Sequence, residues 1–210
     1  MKYDFKDYLV NVIIINKNNR NVYFRVDDES NLVVTCPKYM NNTDIKNLIK
    51  SNETSLKKMI NKSLKKQANA DKFKYLGKYY EIIFVQNLEK VGFKENRVYT
   101  KNLEMLDKFW TAECLHVFTS EIDICKKCFI DLPNFSLKIR KMKTRWGVCN
   151  TRKKQITLNS RLLEYEPFII DYVIIHEMCH FYEGNHSKNF WDLVSQACPK
   201  YKEARKALRE

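Results

Sequence analysis

Between Asp171 and Trp191 the sequence reads DYVIIHEMCHFYEGNHSKNFW, and three of the chain's four histidines fall within it. A helix over this stretch places His176 and His180 on one face, one turn apart, where both rings can reach a single cation. Glu177 lies about 100° further round. From there its carboxylate is poorly placed as a ligand but well placed to take a proton from a water that the cation activates. A catalytic zinc commonly has three protein ligands and one open position, and His186 is the candidate for the third. Gly184 and Asn185 precede it. These residue types most readily take positive φ, so the helix is expected to end there and the chain to turn back toward the ion. H-E-x-x-H alone is short enough to arise by chance. Here it follows an apolar run (Phe168, Ile169, Ile170, Tyr172, Val173, Ile174, Ile175), and two imidazoles and a carboxylate on a buried helix need a partner for their polarity.

The elements that must hold these residues can be read outward from them. Glu166 and Pro167 give an acidic residue and a first-turn proline to start the histidine helix. Ser187 is the expected cap of a following helix, with Phe190, Trp191 and Val194 inward and Pro199 as its stop; a short basic helix, YKEARKALRE, closes the chain. Upstream, residues 135–160 (FSLKIRKMKTRWGVCNTRKKQITLNS) read as a β-hairpin turning near NTRKKQ. From Lys138 to Lys154 this segment holds eight basic residues and no acidic one, a local positive field wherever it lies. Arg140, Lys143, Arg152, Lys153 and Lys154 are its candidate substrate-facing cations.

Further upstream, apolar residues at helical intervals predict one long helix from Leu103 to Phe129. Cys125 and Cys128 form a C-x-x-C near its end, with Cys114 and His116 before it, but no second C-x-x-C follows. Buried thiols are therefore expected there in preference to a second zinc site. Residues 8–37 alternate as a β-meander, Thr43 or Asp44 is placed to cap an amphipathic helical pair running to Leu64, and FKYLGKYYEIIFV and GFKENRVYT return to a β pattern. The expected fold is α+β: a β-rich N-terminal part with a helical pair over 1–100, packed on a metal-binding domain over 101–210 that carries the hairpin and the H-E-x-x-H helix. No linker, repeat or low-complexity tract interrupts it.

Composition narrows the setting. The 210 residues are 44% apolar with a net charge of +13, a globular chain with a basic surface. No apolar run reaches the ~18 residues of a membrane span, and the two aspartates in MKYDFKDYLVNVIII stand where a signal peptide has a basic end. Seven irregularly spaced cysteines suit free thiols in a reducing compartment, so a cytoplasmic protein without membrane contact is expected.

TRWGVC (144–149), ITLNSRL (156–162), DYVIIHEMCH (171–180) and NHSKNFW (185–191), followed by Pro199 and Tyr201, resemble the YgjP-like metallopeptidases, relatives of the SprT and Wss-type (WLM) zinc proteases. LVVTCP and YLGKYYEI extend the resemblance into the N-terminal half. It implies a zincin-like metallopeptidase core with zinc held by His176, His180 and His186, and Glu177 as catalytic residue. Val148 stands where such proteins commonly have Ser, and TRKKQ where they have a small or glycine-containing turn. The metzincin pattern fails, because Glu183 occupies its glycine position and no methionine follows Met178.

The expected function is zinc-dependent hydrolysis of a peptide bond in a peptide or protein, with Glu177 as general base. Arg145, Asn159, Arg161 and Tyr182 are unranked candidates for stabilising the oxyanion or contacting substrate; Trp146 is expected in the core. Two other classes could draw on the same residues. A phosphate-ester or nucleotide hydrolase would use the same centre, but there is no glycine-rich phosphate loop and no magnesium-binding carboxylate cluster. A non-catalytic zinc protein binding nucleic acid through the basic hairpin would have no use for Glu177.

Overall fold

Three consecutive apolar residues, Leu32, Val33 and Val34, leave neither face of a strand suited to water, so this strand belongs in the middle of its sheet. The computed structural model describes residues 1–6 and 9–209 and divides into two compact units, Met1–Asp71 and Lys72–Glu210. In the first, β1 (Lys2–Asp4), β2 (Leu9–Lys17), β3 (Tyr23–Val26) and β4 (Leu32–Pro37) lie in the order β1-β2-β4-β3. β2 and β4 run parallel, Val12 opposite Leu32, while β3 pairs antiparallel with β4. The expected meander is thus corrected. β3 alternates exposed and half-buried residues, the pattern of an edge, and β4 takes the centre. Tyr8, where the sequence reading starts its first strand, lies outside the described residues.

α1 (Asn42–Ser51) is capped by Asn41, upstream of the expected Thr43 or Asp44, with the Asp44 carboxylate closing a capping box onto the Asn41 N–H. α2 (Glu53–Ala68) follows. Ile45 and Ile49 of α1 and Leu56 and Ile60 of α2 join Val10, Val12, Leu32, Val34 and Cys36 of the sheet in one buried core.

The second unit begins with β5 (Phe73–Tyr75), β6 (Lys78–Phe84), β7 (Gly92–Lys94) and β8 (Arg97–Thr100), ordered β5-β6-β8-β7. The parallel and antiparallel pairings repeat those of the first sheet. These strands, which the sequence reading groups with residues 1–72, cluster with the C-terminal unit. At the β5–β6 turn the Leu76 and Gly77 N–H groups donate to the Leu163 and Glu164 carbonyls at 2.9 and 3.2 Å. Gly77 has φ +81°, and a Cβ there would lie 2.5 Å from Glu166 Cγ, so only glycine suits this docked turn.

α3 (Leu103–Cys125) ends in a 3-10 turn over Lys126–Cys128. Cys125 is buried as expected, but Cys128 is exposed, because the tighter turn rotates it off the buried face. Next come β9 (Ser136–Arg140), β10 (Gly147–Asn150) and β11 (Gln155–Asn159), in the order β10-β11-β9. A hairpin does turn at Thr151–Lys154, but its outgoing strand is β10, and β9, where the sequence reading begins the hairpin, lies parallel to β11 as a third strand. The wholly buried Ile156 and Leu158 explain why β11 is central.

A 3-10 turn over Ser160–Glu164 leads into α4 (Pro167–Cys179), α5 (Lys188–Ala197) and α6 (Tyr201–Ala207). Apolar residues of α4 pack with Phe118 and Ile122 of α3, Ile156 and Leu158 of β11, Phe190 and Val194 of α5, and Ala204 of α6. The six helices and small sheets among the described residues make a mixed α+β fold. No described helix is long and apolar enough to cross a membrane.

Candidate metal centre

α4 starts where Glu166 and Pro167 predict it, with Pro167 in the first turn. Its end differs from expectation. The last helical residue is Cys179, His180 is the cap, and neither Gly184 nor Asn185 has positive φ. The chain turns instead through the Tyr182 and Glu183 N–H groups, both donating to the Cys179 carbonyl at 3.0 and 2.9 Å. It is then re-anchored by Ser187, whose N–H donates to Asn185 Oδ1 at 3.1 Å and whose hydroxyl accepts from the Phe190 N–H at 3.3 Å. This S-x-x start of α5 brings His186 back over α4.

The three histidines meet. Their ligand-capable atoms all lie within 4.8 Å of one another, and His176 Nε2 and His186 Nε2 are 3.1 Å apart. Two imidazole nitrogens bound at ~2.0–2.1 Å to one tetrahedral zinc stand about 3.3 Å apart, so this spacing suits a shared ion. His180 Nδ1 is 3.1 Å from the Glu183 carbonyl, a contact that puts its proton on Nδ1 and leaves Nε2 bare. His176 Nδ1 is buried without a partner among the described residues. Burial, then the neighbouring His180 and His186, hold His176 down to about 3, and burial lowers His186 as well. Three imidazoles whose ligand atoms converge in this way fit a first-row divalent cation. The wholly buried Phe190 ring supports all three, with centroids 4.9, 4.6 and 4.7 Å from His176, His180 and His186.

Glu177 is 6% exposed. Burial pushes its carboxyl up to about 7, against the Cys149 N–H that donates to it and the charge of Arg145. Its room comes from Gly147 of β10: a Cβ there would lie 2.6 Å from both Glu177 Cγ and Oε1. A cleft of 310 Å³ opens beside His176 and Glu177, and Thr144, Arg145, Trp146 and Gly147 line one part of it. Tyr172, Arg205 and Arg209 line another.

Of the remaining sequence candidates, Arg145 alone reaches this cleft. The Asn159 side-chain amide is committed to backbone: Oδ1 accepts from the Met142 and Arg161 N–H groups at 3.2 Å, and Nδ2 donates to the Met142 and Arg145 carbonyls at 2.9 and 2.8 Å. Arg161 pairs with Glu164 at 3.0 Å, and the Tyr182 hydroxyl donates to the Ile130 carbonyl at 2.6 Å. Arg140, Lys143, Arg152, Lys153 and Lys154 are exposed and lie outside the cleft lining. Trp146, expected in the core, is half-buried against Tyr165 and lines the cleft. Arg205 and Arg209 were missed, since cations in a short terminal helix look like ordinary solvated charge.

No curated protein matches the chain. Among solved structures, the metallopeptidase zymogen abylysin of Pyrococcus abyssi is 23% identical, with a TM-score of 0.41, over 43% of this chain and 90% of that one. The metallopeptidase zymogen jannalysin of Methanocaldococcus jannaschii is 18% identical, with a TM-score of 0.39, over 43% and 86%. Residues 20–210 match the family described as YgjP-like, metallopeptidase domain, and the chain therefore belongs to the YgjP-like metallopeptidase family.

Proposed function

We propose that the protein is a zinc metallopeptidase with a zincin-like core in which His176, His180 and His186 hold the metal and Glu177 is the general base. The observation that carries this reading is the convergence of three imidazoles beside Glu177, a buried carboxylate on the helix that bears His176. Zinc, when bound, supplies Lewis-acid activation of water and of the substrate carbonyl. Glu177, held near neutral by burial, accepts the proton of the attacking water and returns it to the leaving amine. Gly147 and the Cys149 N–H fix that carboxylate. Arg145, whose charge reaches Glu177, is the candidate to face negative charge developing on the substrate. β10 is an edge strand, where an extended peptide can add as a further strand.

The test combines metal analysis with turnover of an unfolded polypeptide. Protein purified without chelator should carry about one zinc per chain. Glu177→Gln should keep that zinc and lose about 10²–10⁴-fold in turnover, whereas His186→Ala should lose the zinc. Full activity in Glu177→Gln would sink the general-base role, and unchanged zinc affinity in His186→Ala would remove it from the ligand set.

A further inference from the structure

The cations of the cleft come from two places: Arg145 from the segment between β9 and β10, and Arg205 and Arg209 from α6 and the turn after it. None of the three makes an ion pair with a described residue, and Glu177 is the one carboxylate in the lining. The Arg205 guanidinium lies 4.6 Å from the centroid of the Trp191 ring, which is itself stacked on Tyr201 at 5.6 Å. A stacked guanidinium is held in place while its N–H donors stay available. The field of Arg205 is felt at His176 and His186, that of Arg145 at Glu177, and that of Arg209 at Tyr172. All three cations line the one cleft beside His176 and Glu177. Like charges gathered round one small cleft repel, and an anion entering it relieves that cost. Planar guanidiniums match a carboxylate in bidentate fashion, while Trp146, Tyr172, Val173 and Leu208 offer apolar surface to the carbons that carry it. At 310 Å³ the cleft is at the small end of ligand sites, room for one substrate residue.

We propose that this cleft is a specificity pocket for a substrate carboxylate beside the bond to be cut, bound by Arg205 and Arg209 with Arg145 at its other side. The carboxylate belongs either to an Asp or Glu side chain or to the C-terminus of the peptide. The inference rests on the peptidase reading above, and a binding measurement separates the two.

Labelled short peptides of one parent sequence are titrated into the full chain, metal-free and carrying Glu177→Gln. One has an internal Glu and an amidated end, one a neutral sequence with a free C-terminus, and one is neutral and amidated. The same three are then offered to the zinc-loaded wild-type protein for turnover. At least one carboxylate peptide should bind about tenfold or more tightly than the neutral amidated one, and which one identifies the source. Arg205→Ala and Arg209→Ala should each collapse that ratio, Arg205→Lys should restore it in part, and Lys206→Ala, on the same helix but outside the cleft lining, should leave it unchanged. Equal binding of all three peptides overturns the pocket and leaves the peptidase reading standing. A preserved binding preference with no peptide cut supports the pocket and overturns the peptidase reading. Tighter binding of a nucleoside triphosphate than of every peptide overturns the carboxylate assignment.

Discussion

At position 147 a hydrogen atom in place of a side chain is what lets Glu177 fold down against β10. The absent Cβ would sit 2.6 Å from the carboxylate it makes room for, and two atoms at that distance cannot coexist without movement of the strand or of α4. Gly147→Ala is therefore expected to destabilise the protein by about 1–3 kcal/mol and to lower turnover further than that loss of folded protein explains, with zinc content unchanged. Urea unfolding, metal analysis and kcat on the folded fraction measure these three quantities, and a wild-type kcat would show that Glu177 does not depend on this contact. The juxtaposition of His176 and His180, with Glu177 beside them, was legible in the sequence because helical geometry alone relates the three. Gly147 stands within the quoted TRWGVC, but its role was not legible, since that role is a contact across the sheet with a helix distant in sequence. The role of Asn159 was left open in the sequence for a similar reason. A buried side-chain amide that satisfies four backbone groups positions the segment carrying Arg145, and no local pattern announces it.

The packing of α3 on α4 carries a titration. Asp171 of α4 faces Glu121 and Cys125 of α3, with Cys198 beyond α5 also feeling its charge. Burial, then the hydrogen bond and charge of Glu121, push Asp171 up to about 7 from an ordinary value of 3.8. A carboxyl raised in the folded state binds its proton more tightly folded than unfolded. Its contribution to stability is complete below about pH 4 and is lost as pH rises through about 7. The full shift corresponds to ~4 kcal/mol, and solvent access to Asp171 reduces this to about 1–2 kcal/mol. Asp171→Asn should flatten that decline. Urea midpoints between pH 4 and 8, taken with chelator so that the histidines titrate alike in both proteins, should converge at the acid end and diverge toward pH 8, the variant being the more stable there. Parallel curves would show that Asp171 ionises normally. At this scale the sequence was informative about starts: Pro167 and Ser187 are local signals, and both helices begin there. It was less informative about ends and pairings. α4 stops at Cys179 because the Cys179 carbonyl takes the following N–H groups, and the parallel pairing of β9 with β11 cannot be read from alternation, which carries no direction.

Across the whole molecule, the charge of +13 conceals which cations matter. The dense basic run at 138–154 drew attention in the sequence, yet most of it is exposed and outside the cleft, while the cleft uses Arg145, Arg205 and Arg209 from segments brought together by folding. The boundary was equally hidden: β5–β8 alternate much as β2–β4 do, and only docking contacts such as Leu76 to Leu163 assign them to the second unit. The two buried cores share no residue, one built from Phe5 to Ile60 and the other from Cys114 to Ala204. All three histidines lie in the second unit, so metal binding should be linked to the stability of that unit. A metal held by the folded centre and not by the unfolded chain stabilises it by about 2.7 kcal/mol at a hundredfold excess over Kd. Chelation should accordingly lower the protection of amides in α4, α5 and β11 against hydrogen exchange, while those of β4, α1 and α2 keep theirs. The same loss should appear in His186→Ala without chelator. Equal loss in both units would mean that the metal stabilises the chain as one cooperative whole, and loss in neither would mean that the triad is already rigid before the ion arrives.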